Sequence, residues 1–197
     1  MKTIIYFVRH GAVENPKNRV YGRLPGFPLS KIGREQAKKL AEYFSSHKIA
    51  AVFSSPLTRA RQTAIPIAKS LHLPLNISKM IIETDVAGWH GMTLAERERT
   101  FEFKIYKESP TQFLVGNETL EQTGKRVARF CQIICRKFGG REIIAVSHED
   151  SIRLGRLYLL KKSIDLLHHL QISKGEFVKF EFDQSSKLVK TSKPFTP

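Results

Sequence analysis

The segment at residues 4–11, Ile-Ile-Tyr-Phe-Val-Arg-His-Gly, limits what this chain can fold into more than any other part of it. A short run of β-branched and aromatic residues bounded by a glycine is typical of a strand covered on both faces. In open α/β sheets, ligands bind beyond the carboxyl ends of such strands, which is where Arg9 and His10 would lie. Gly11 allows a sharp turn there and the close approach of a ligand.

The rest of the chain alternates predicted helices and strands, which indicates a mostly parallel sheet with helices on both faces. Further strands are predicted at residues 49–53, 75–82, 142–146 and, as an edge or hairpin strand, 176–182. Helices are predicted at residues 30–46, 56–71, 93–107, 117–138 and 149–160. Ser30 and Asn117 are predicted N-caps, and Pro66 predicts a kink or an interruption. Residues 187–197 are predicted to be a frayed terminus.

A long loop is predicted at residues 12–29, where prolines and glycines break any regular structure. Loops of this length inside compact domains are usually functional. Arg19, Tyr21 and Arg23 lie between these breakers. We therefore expect the loop to form a wall of the site, with Arg23 among the residues that bind the substrate.

Length and composition favour one domain over residues 1–197, and the hydrophobic content of 41% argues against disorder. The 33 basic and 18 acidic residues give a net charge of +15, which attracts anions of any kind. No apolar stretch approaches the ~20 residues that span a bilayer, and residues 1–8 lack the pattern of a signal peptide. Cys131 and Cys135 are expected to be buried thiols and not a zinc site or a redox pair, so a cytoplasmic location is expected.

Four blocks of sequence occur in a characteristic order. They are Arg9-His10-Gly11, the block Ser-Ser-Pro-Leu-Thr-Arg-Ala-Arg-Gln-Thr-Ala at residues 54–64, Glu83 ahead of Gly88-Trp89-His90-Gly91, and Val146-Ser147-His148. Together they resemble the histidine phosphatase superfamily, the group related to cofactor-dependent phosphoglycerate mutase. The resemblance extends from residue 4 to about residue 153, and the block at residues 54–64 is its most specific part. It implies an α/β fold of the phosphoglycerate mutase-like class, a three-layer α/β/α sandwich with a mostly parallel central sheet.

Phosphoryl transfer needs a nucleophile, cations around the phosphate and a proton donor for the leaving alcohol. The resemblance implies that His10 is the nucleophile, that Arg9 and Arg59 clamp the phosphate, and that His148 contacts the same phosphate. A neutral His10 can attack if its other ring nitrogen donates to a fixed acceptor such as a loop carbonyl. Glu83 matches the general acid of the family, and Asp85 remains the competing carboxylate.

Other basic and imidazole side chains lack such a context. Arg61, Arg97 and Arg99 are expected to be solvated surface residues, and His47, His72, His168 and His169 to be surface or packing residues. Some positions depart from the common pattern of the family, namely Ala87, His90, Glu149 and Asp150. The last two follow His148, where small residues are frequent, and they could repel a second phosphate or engage a polar group of the substrate.

The sequence thus predicts a metal-independent phosphatase that hydrolyses phosphate monoesters through a phosphohistidine on His10, without a cofactor. The alternatives are a phosphoglycerate mutase-type phosphotransferase and a non-catalytic protein that binds polyanions. The expected partner is a small phosphorylated substrate, and neither a membrane nor, despite the charge, a nucleic acid is expected. The oligomeric state is left open, with a homodimer as one alternative.

Overall fold

The central element is a six-stranded sheet in the computed structural model, which describes residues 2–197. Its strands are β1 (Thr3–Arg9), β2 (Ile49–Ser54), β3 (Leu75–Ile77), β4 (Glu142–Ser147), β5 (Phe177–Phe182) and β6 (Leu188–Thr191). They lie in the spatial order β3-β2-β4-β1-β5-β6. The first four strands of this order are parallel, whereas β5 is antiparallel to β1 and β6 is antiparallel to β5. The mostly parallel α/β sheet that the sequence predicts is confirmed.

Helices cover both faces of the sheet. They are α1 (Lys31–Phe44), α2 (Thr58–Ser70), α3 (Leu94–Glu98), α4 (Phe101–Glu108), α5 (Leu120–Lys137) and α6 (Glu149–Leu159). Short 3₁₀ turns lie at Lys79–Ile81, Ala87–Trp89, Pro110–Gln112 and Ile164–His169. Helices α1 and α2 pack on one face, while α5 and α6 pack on the other, so the predicted three layers are present.

Strand β1 is buried on both faces, as its apolar run predicts. Ile5 and Phe7 pack into the cluster under α5, while Tyr6 and Val8 pack into the cluster under α1 and α2. This alternation is the two-residue period of a strand. Because both clusters need β1, the strand sits at the centre of the hydrophobic core.

The pairing of β1 with β4 sets the position of the predicted site. The two strands run parallel in a register that places Arg9 opposite Ser147. His10 and His148 follow directly after these paired residues, so they leave the sheet at the same level. The chain then turns from β1 to α1 on one face and from β4 to α6 on the other. This is the switch point at which ligands bind in such sheets.

Two glycines allow the loop after β1 to lie directly on the first turn of α1. A Cβ atom on Gly33 would lie 2.0 Å from the carbonyl oxygen of Ala12, and one on Gly11 would lie 2.6 Å from the carbonyl oxygen of Gly33. Ser30 caps this helix, as predicted, by accepting from the N–H of Gly33 at 3.1 Å. The space that Gly11 leaves is therefore used by the backbone of α1.

A third apolar cluster joins the α3–α4 segment to α6. Trp89 is buried, and the centre of its ring lies 5.0 Å from that of Phe113 and 5.9 Å from that of Tyr106. Leu154 and Leu157 of α6 belong to the same cluster. The segment that covers the end of β4 thus has its own apolar core.

Three predicted elements have different bounds in the structure because local caps interrupt them. The predicted strand at residues 75–82 ends at Ile77, since the side chain of Ser78 caps a 3₁₀ turn. The predicted helix at residues 93–107 is two helices, because Thr100 caps the second one. Asn117 as an N-cap is wrong: Thr119 caps α5 in a capping box with Gln122.

The interruption that Pro66 was expected to cause is absent from α2, and the prediction of a frayed C-terminus is wrong. Helix α2 runs through Pro66 from Thr58 to Ser70, because the buried residues on both sides of Pro66 hold the helix in place. The C-terminal segment is not frayed, since β6 pairs with β5 and Phe195 forms a bridge with Phe177. Cys131 and Cys135 are buried free thiols, as predicted. Within residues 2–197, the helices lack the combined length and apolar character that crossing a bilayer requires.

The contact between the loop and α1 predicts that Gly33→Ala destabilises the fold. The added Cβ would overlap the carbonyl oxygen of Ala12, so the free energy of unfolding should fall by about 1–3 kcal/mol in urea titrations. Gly139→Ala is the matched control, because the atom that its Cβ would approach lies at 3.4 Å. Equal stability of the two variants would contradict this account.

Candidate active site

His10 lies at the centre of the candidate site and is 2% exposed. Its Nδ1 lies 2.8 Å from the carbonyl oxygen of Gly11. Because a carbonyl only accepts hydrogen bonds, Nδ1 carries the proton and Nε2 keeps its lone pair. Burial, and then the charge of Arg59, holds the pKa of His10 well below its ordinary value. The imidazole is therefore neutral, with Nε2 available as a nucleophile.

Arg59 comes from the first turn of α2 and is 1% exposed. Its Nε donates to Nε2 of His10 at 3.2 Å, and its Nη2 donates to the carbonyl oxygen of Gly22 at 2.8 Å. The ring of Tyr21 lies beneath the guanidinium, with its centroid 4.6 Å from Cζ. The 12–29 loop and α2 thus fix this cation against the nucleophile.

His148 lies beside His10, with the ring centroids 5.2 Å apart. It is fully buried, and its Nε2 is 2.7 Å from the hydroxyl oxygen of Ser55. Within residues 2–197, its Nδ1 has no hydrogen-bond partner. Burial, with the charge of Arg59 next, holds the pKa of His148 well below its ordinary value. A pair of neutral imidazoles therefore lies at the ends of the two central strands.

Arg9 is the last residue of β1 and directly precedes His10. Its Nη1 donates to the carbonyl oxygen of Ile172 at 2.6 Å and lies 2.8 Å from a carboxylate oxygen of Glu149. In the described residues, its buried Nε has no partner. Glu149 also lies 3.4 Å from Arg153, so it links two cations at the start of α6.

Glu83 lies in the segment after the Lys79–Ile81 turn. Its Oε1 accepts from the N–H of Thr84 at 2.9 Å. Burial, and then the negative charge of Asp150, raises the pKa of Glu83 to about 7, although Arg59 opposes this effect. A carboxyl group with such a pKa can both donate and accept a proton near neutral pH.

Asp85 and Arg23 form an ion pair, with Nη1 of Arg23 3.8 Å from a carboxylate oxygen of Asp85, and in the described residues neither side chain hydrogen-bonds to His10 or His148. The carboxylate of Asp85 accepts from the backbone N–H groups of Ala87 and Asn117 at 3.1 and 3.2 Å. These bonds, opposed by burial, lower its pKa. Arg23 donates to the carbonyl oxygen of Glu83 at 2.7 Å and pairs with Glu118 at 2.5 Å. Arg23 therefore braces the segment that carries Glu83.

A cavity of about 350 Å³ opens beside this cluster. The 12–29 loop forms one wall, as the sequence predicts, and Glu83, Asp150 and Lys174 also line the cavity. Four basic residues line this cavity, namely Arg9, Arg19, Arg97 and Lys174, and the hydroxyl-bearing Tyr21 and Tyr106 line it as well. The cavity is therefore rich in hydrogen-bond donors. Its volume suits a small ligand.

Arg97 lines this cavity, so the prediction that it is a solvated surface residue is wrong. Its Cζ lies 4.5 Å from the ring centroid of Phe103. Sequence reasoning also missed Ser55 and Lys174 as neighbours of the site, whereas Asp150, close to His148 in the sequence, lines the cavity. Ser55 belongs to the most specific sequence block, which was a usable signal. Lys174 precedes β5 far along the chain, and no local pattern marks it.

Comparison with known proteins identifies the family of this chain. The model of the histidine phosphatase superfamily (branch 1) matches residues 5–193. The chain belongs to the histidine phosphatase superfamily. Phosphoserine phosphatase 1 of Hydrogenobacter thermophilus is 31% identical to it over 166 residues, which are 82% of this chain and 77% of that protein.

Solved structures of the superfamily share the fold. Mycobacterial glucosyl-3-phosphoglycerate phosphatase superposes with a TM-score of 0.85 at 20% identity, covering 98% of this chain and 97% of that chain. The phosphoserine phosphatase of Entamoeba histolytica in complex with 3-phosphoglyceric acid has a TM-score of 0.81 at 23% identity, covering 90% of each chain. The phosphoglycerate mutase-like fold that the sequence predicts is confirmed.

The buried, neutral state of His10 predicts a pH dependence of stability. Below the ordinary pKa of 6.5, the unfolded chain takes up a proton at this residue and the native state does not. The free energy of unfolding therefore decreases as the pH is lowered below 6.5. Between pH 6 and pH 5, the wild type should lose about 1 kcal/mol more unfolding free energy than His10→Gln in urea titrations. Equal losses in wild type and His10→Gln would contradict a neutral buried His10.

Proposed function

We propose that this protein is a metal-independent phosphatase that hydrolyses phosphate monoesters through a phosphohistidine on His10. The observation that carries the proposal is the fixed tautomer of His10, whose Nδ1 binds the Gly11 carbonyl while Nε2 faces the Arg59 guanidinium. A nucleophilic nitrogen beside a buried cation suits attack on a phosphate. The similarity to a phosphoserine phosphatase and to a glucosyl-3-phosphoglycerate phosphatase supports the same class of reaction.

In the first step, Nε2 of His10 attacks phosphorus and the bond from phosphorus to the alcohol oxygen breaks. Arg59 and Arg9 stabilise the charge on the phosphate oxygens. Nδ1 of His148, which has no partner within residues 2–197, can hydrogen-bond to the same phosphate. Glu83 gives its proton to the leaving oxygen, so the alcohol leaves neutral and Glu83 becomes a carboxylate.

In the second step, water hydrolyses the phosphohistidine. The Glu83 carboxylate takes a proton from the attacking water, and the oxygen of that water forms the new bond to phosphorus. The bond from phosphorus to Nε2 breaks, and its electron pair returns to the imidazole. Inorganic phosphate leaves, and His10 and Glu83 are restored to their starting states.

Glu83 suits the acid role better than Asp85 for a physical reason. Asp85 accepts two backbone N–H bonds and one from the Asn117 side chain, and these hold it ionised. Glu83 lines the cavity and accepts a single backbone N–H bond, from Thr84. Its pKa of about 7 lets it alternate between acid and base.

The expected substrate is a small phosphorylated molecule, because the cavity holds about 350 Å³. Arg19, Arg97 and Lys174 line this cavity together with Arg9 and supply further positive charge for an anionic substrate. A mutase would use the same His10 chemistry but pass the phosphate to a second alcohol. The amount of inorganic phosphate released therefore separates the two activities.

We expect His10→Ala to abolish the release of inorganic phosphate, because the first step loses its nucleophile. The assay measures phosphate release in EDTA from p-nitrophenyl phosphate, phosphoserine and phosphoglycerates. His169→Ala, which removes an exposed imidazole, is the matched control and should keep wild-type rates. Release that stops in EDTA, or that continues in folded His10→Ala, would refute the proposal. Phosphate transfer between phosphoglycerates without release would favour the mutase.

We expect Glu83→Gln to slow phosphate release from an alkyl phosphate by about 100-fold or more, since that leaving group needs a proton. The loss in kcat/KM for p-nitrophenyl phosphate should be smaller, because p-nitrophenolate leaves without one. Asp85→Asn is the matched control and should affect both substrates equally. A larger substrate-dependent loss in Asp85→Asn would assign the acid to Asp85.

A further inference from the structure

Two carboxyl groups that line the same cavity are held in different ways. Asp150 accepts from the hydroxyl of Tyr106, whose oxygen lies 3.1 and 3.2 Å from its two carboxylate oxygens, and forms an ion pair with Arg153. Glu83 accepts from the N–H of Thr84 and, at 3.5 Å, from the hydroxyl of Ser151 of α6, and within residues 2–197 it forms no ion pair. When two carboxyl groups line one cavity, the negative charge is carried by the one that is paired with a cation, which here is Asp150.

We propose that Asp150 is a positioning residue for the proposed reaction, on which this inference rests: ionised and anchored by Arg153 and Tyr106, it keeps the proton on Glu83. Asp150 acts through Glu83 and contacts neither the phosphate nor the leaving group in this scheme. Asp150 thereby keeps Glu83 protonated before the substrate binds.

The charges around Glu83 explain why such a residue is needed. Arg59 from α2 and Arg9 from β1 both favour the ionised carboxylate, and Tyr21 faces it from the 12–29 loop. Asp150 from α6 is the neighbouring group that opposes these two cations. Burial has the larger effect, and Asp150 adds to it in keeping the proton on Glu83 against the charges of the two arginines.

Asp150 is anchored by the dipole of α6, by Arg153 and by Tyr106. It lies in the first turn of α6, where the helix dipole favours a negative charge. Arg153 lies one turn further along the same helix, and its pairing lowers the pKa of Asp150 against the effect of burial. Tyr106 comes from α4, and its carbonyl oxygen lies 2.7 Å from Nε2 of His168. The proton on Glu83 thus depends on α4 being packed over the cavity.

The test is a pH titration of the Glu83 carboxyl by ¹³C NMR in protein labelled at glutamate. The Glu83 resonance is identified by its loss in Glu83→Gln. The wild-type midpoint is expected at about 7. Asp150→Asn and Asp150→Ala should both lower it by about one pH unit or more, since one nearby charge is lost. Asp165→Asn removes an exposed carboxylate elsewhere and should leave the midpoint unchanged.

A midpoint that stays unchanged or rises in the folded Asp150 variants would overturn the proposal, as would a wild-type Glu83 that titrates like an exposed glutamate. Thermal melting establishes which variants fold, and Asp150→Ala decides the question if Asp150→Asn does not. The titration needs no turnover. A protein without phosphatase activity would therefore refute the proposed function while the titration still tests Asp150.

The pH profile of kcat/KM provides the second measurement. For an alkyl phosphate, activity should be lost at high pH as Glu83 ionises, and Asp150→Asn should move this loss to lower pH by the shift seen in the titration. For p-nitrophenyl phosphate, the same variant should move the profile less. A purely structural role of Asp150 would lower both rates without moving either profile.

Discussion

The site depends first on the parallel pairing of β1 with β4. Their register places Arg9 opposite Ser147, so the next residue of each strand, His10 and His148, emerges at the same level with ring centroids 5.2 Å apart. Both strands are buried on both faces, so a slip of one residue would move each apolar side chain into the opposite cluster and disrupt the packing of both clusters. The strongest part of the core therefore also sets the geometry of the two imidazoles.

The second constraint is electrostatic, because the cations that attract a phosphate also act on the acid that must keep a proton. Arg59 has both effects, since it donates to His10, where the phosphate would bind, and its charge lowers the pKa of Glu83. The acidic residues after His148 resolve the conflict in different ways. Glu149 pairs with Arg9 and Arg153, whereas Asp150 faces Glu83 and is held by Arg153 and Tyr106.

The sequence predicted the sheet and the convergence of His10, His148 and Arg59 because these features follow from local signals, namely buried strands that each end in a polar residue. It could not predict that Arg97 lines the cavity, since that depends on how α3 and α4 pack on Trp89. Arg23 was expected to bind substrate, but the structure places its guanidinium against Glu118. The Thr119 cap was missed because Asn117 is an equally good cap by sequence, and only the Asp85 contact distinguishes the two.

The most direct test of the central claim is to trap the phosphoenzyme. The protein is mixed with p-nitrophenyl phosphate, quenched within milliseconds at alkaline pH, where phosphohistidine survives, and digested for mass spectrometry. We expect one acid-labile phosphate on the peptide that contains His10, with none in His10→Ala. Phosphate on another residue, or release of phosphate at full rate with no phosphorylated peptide, would contradict it.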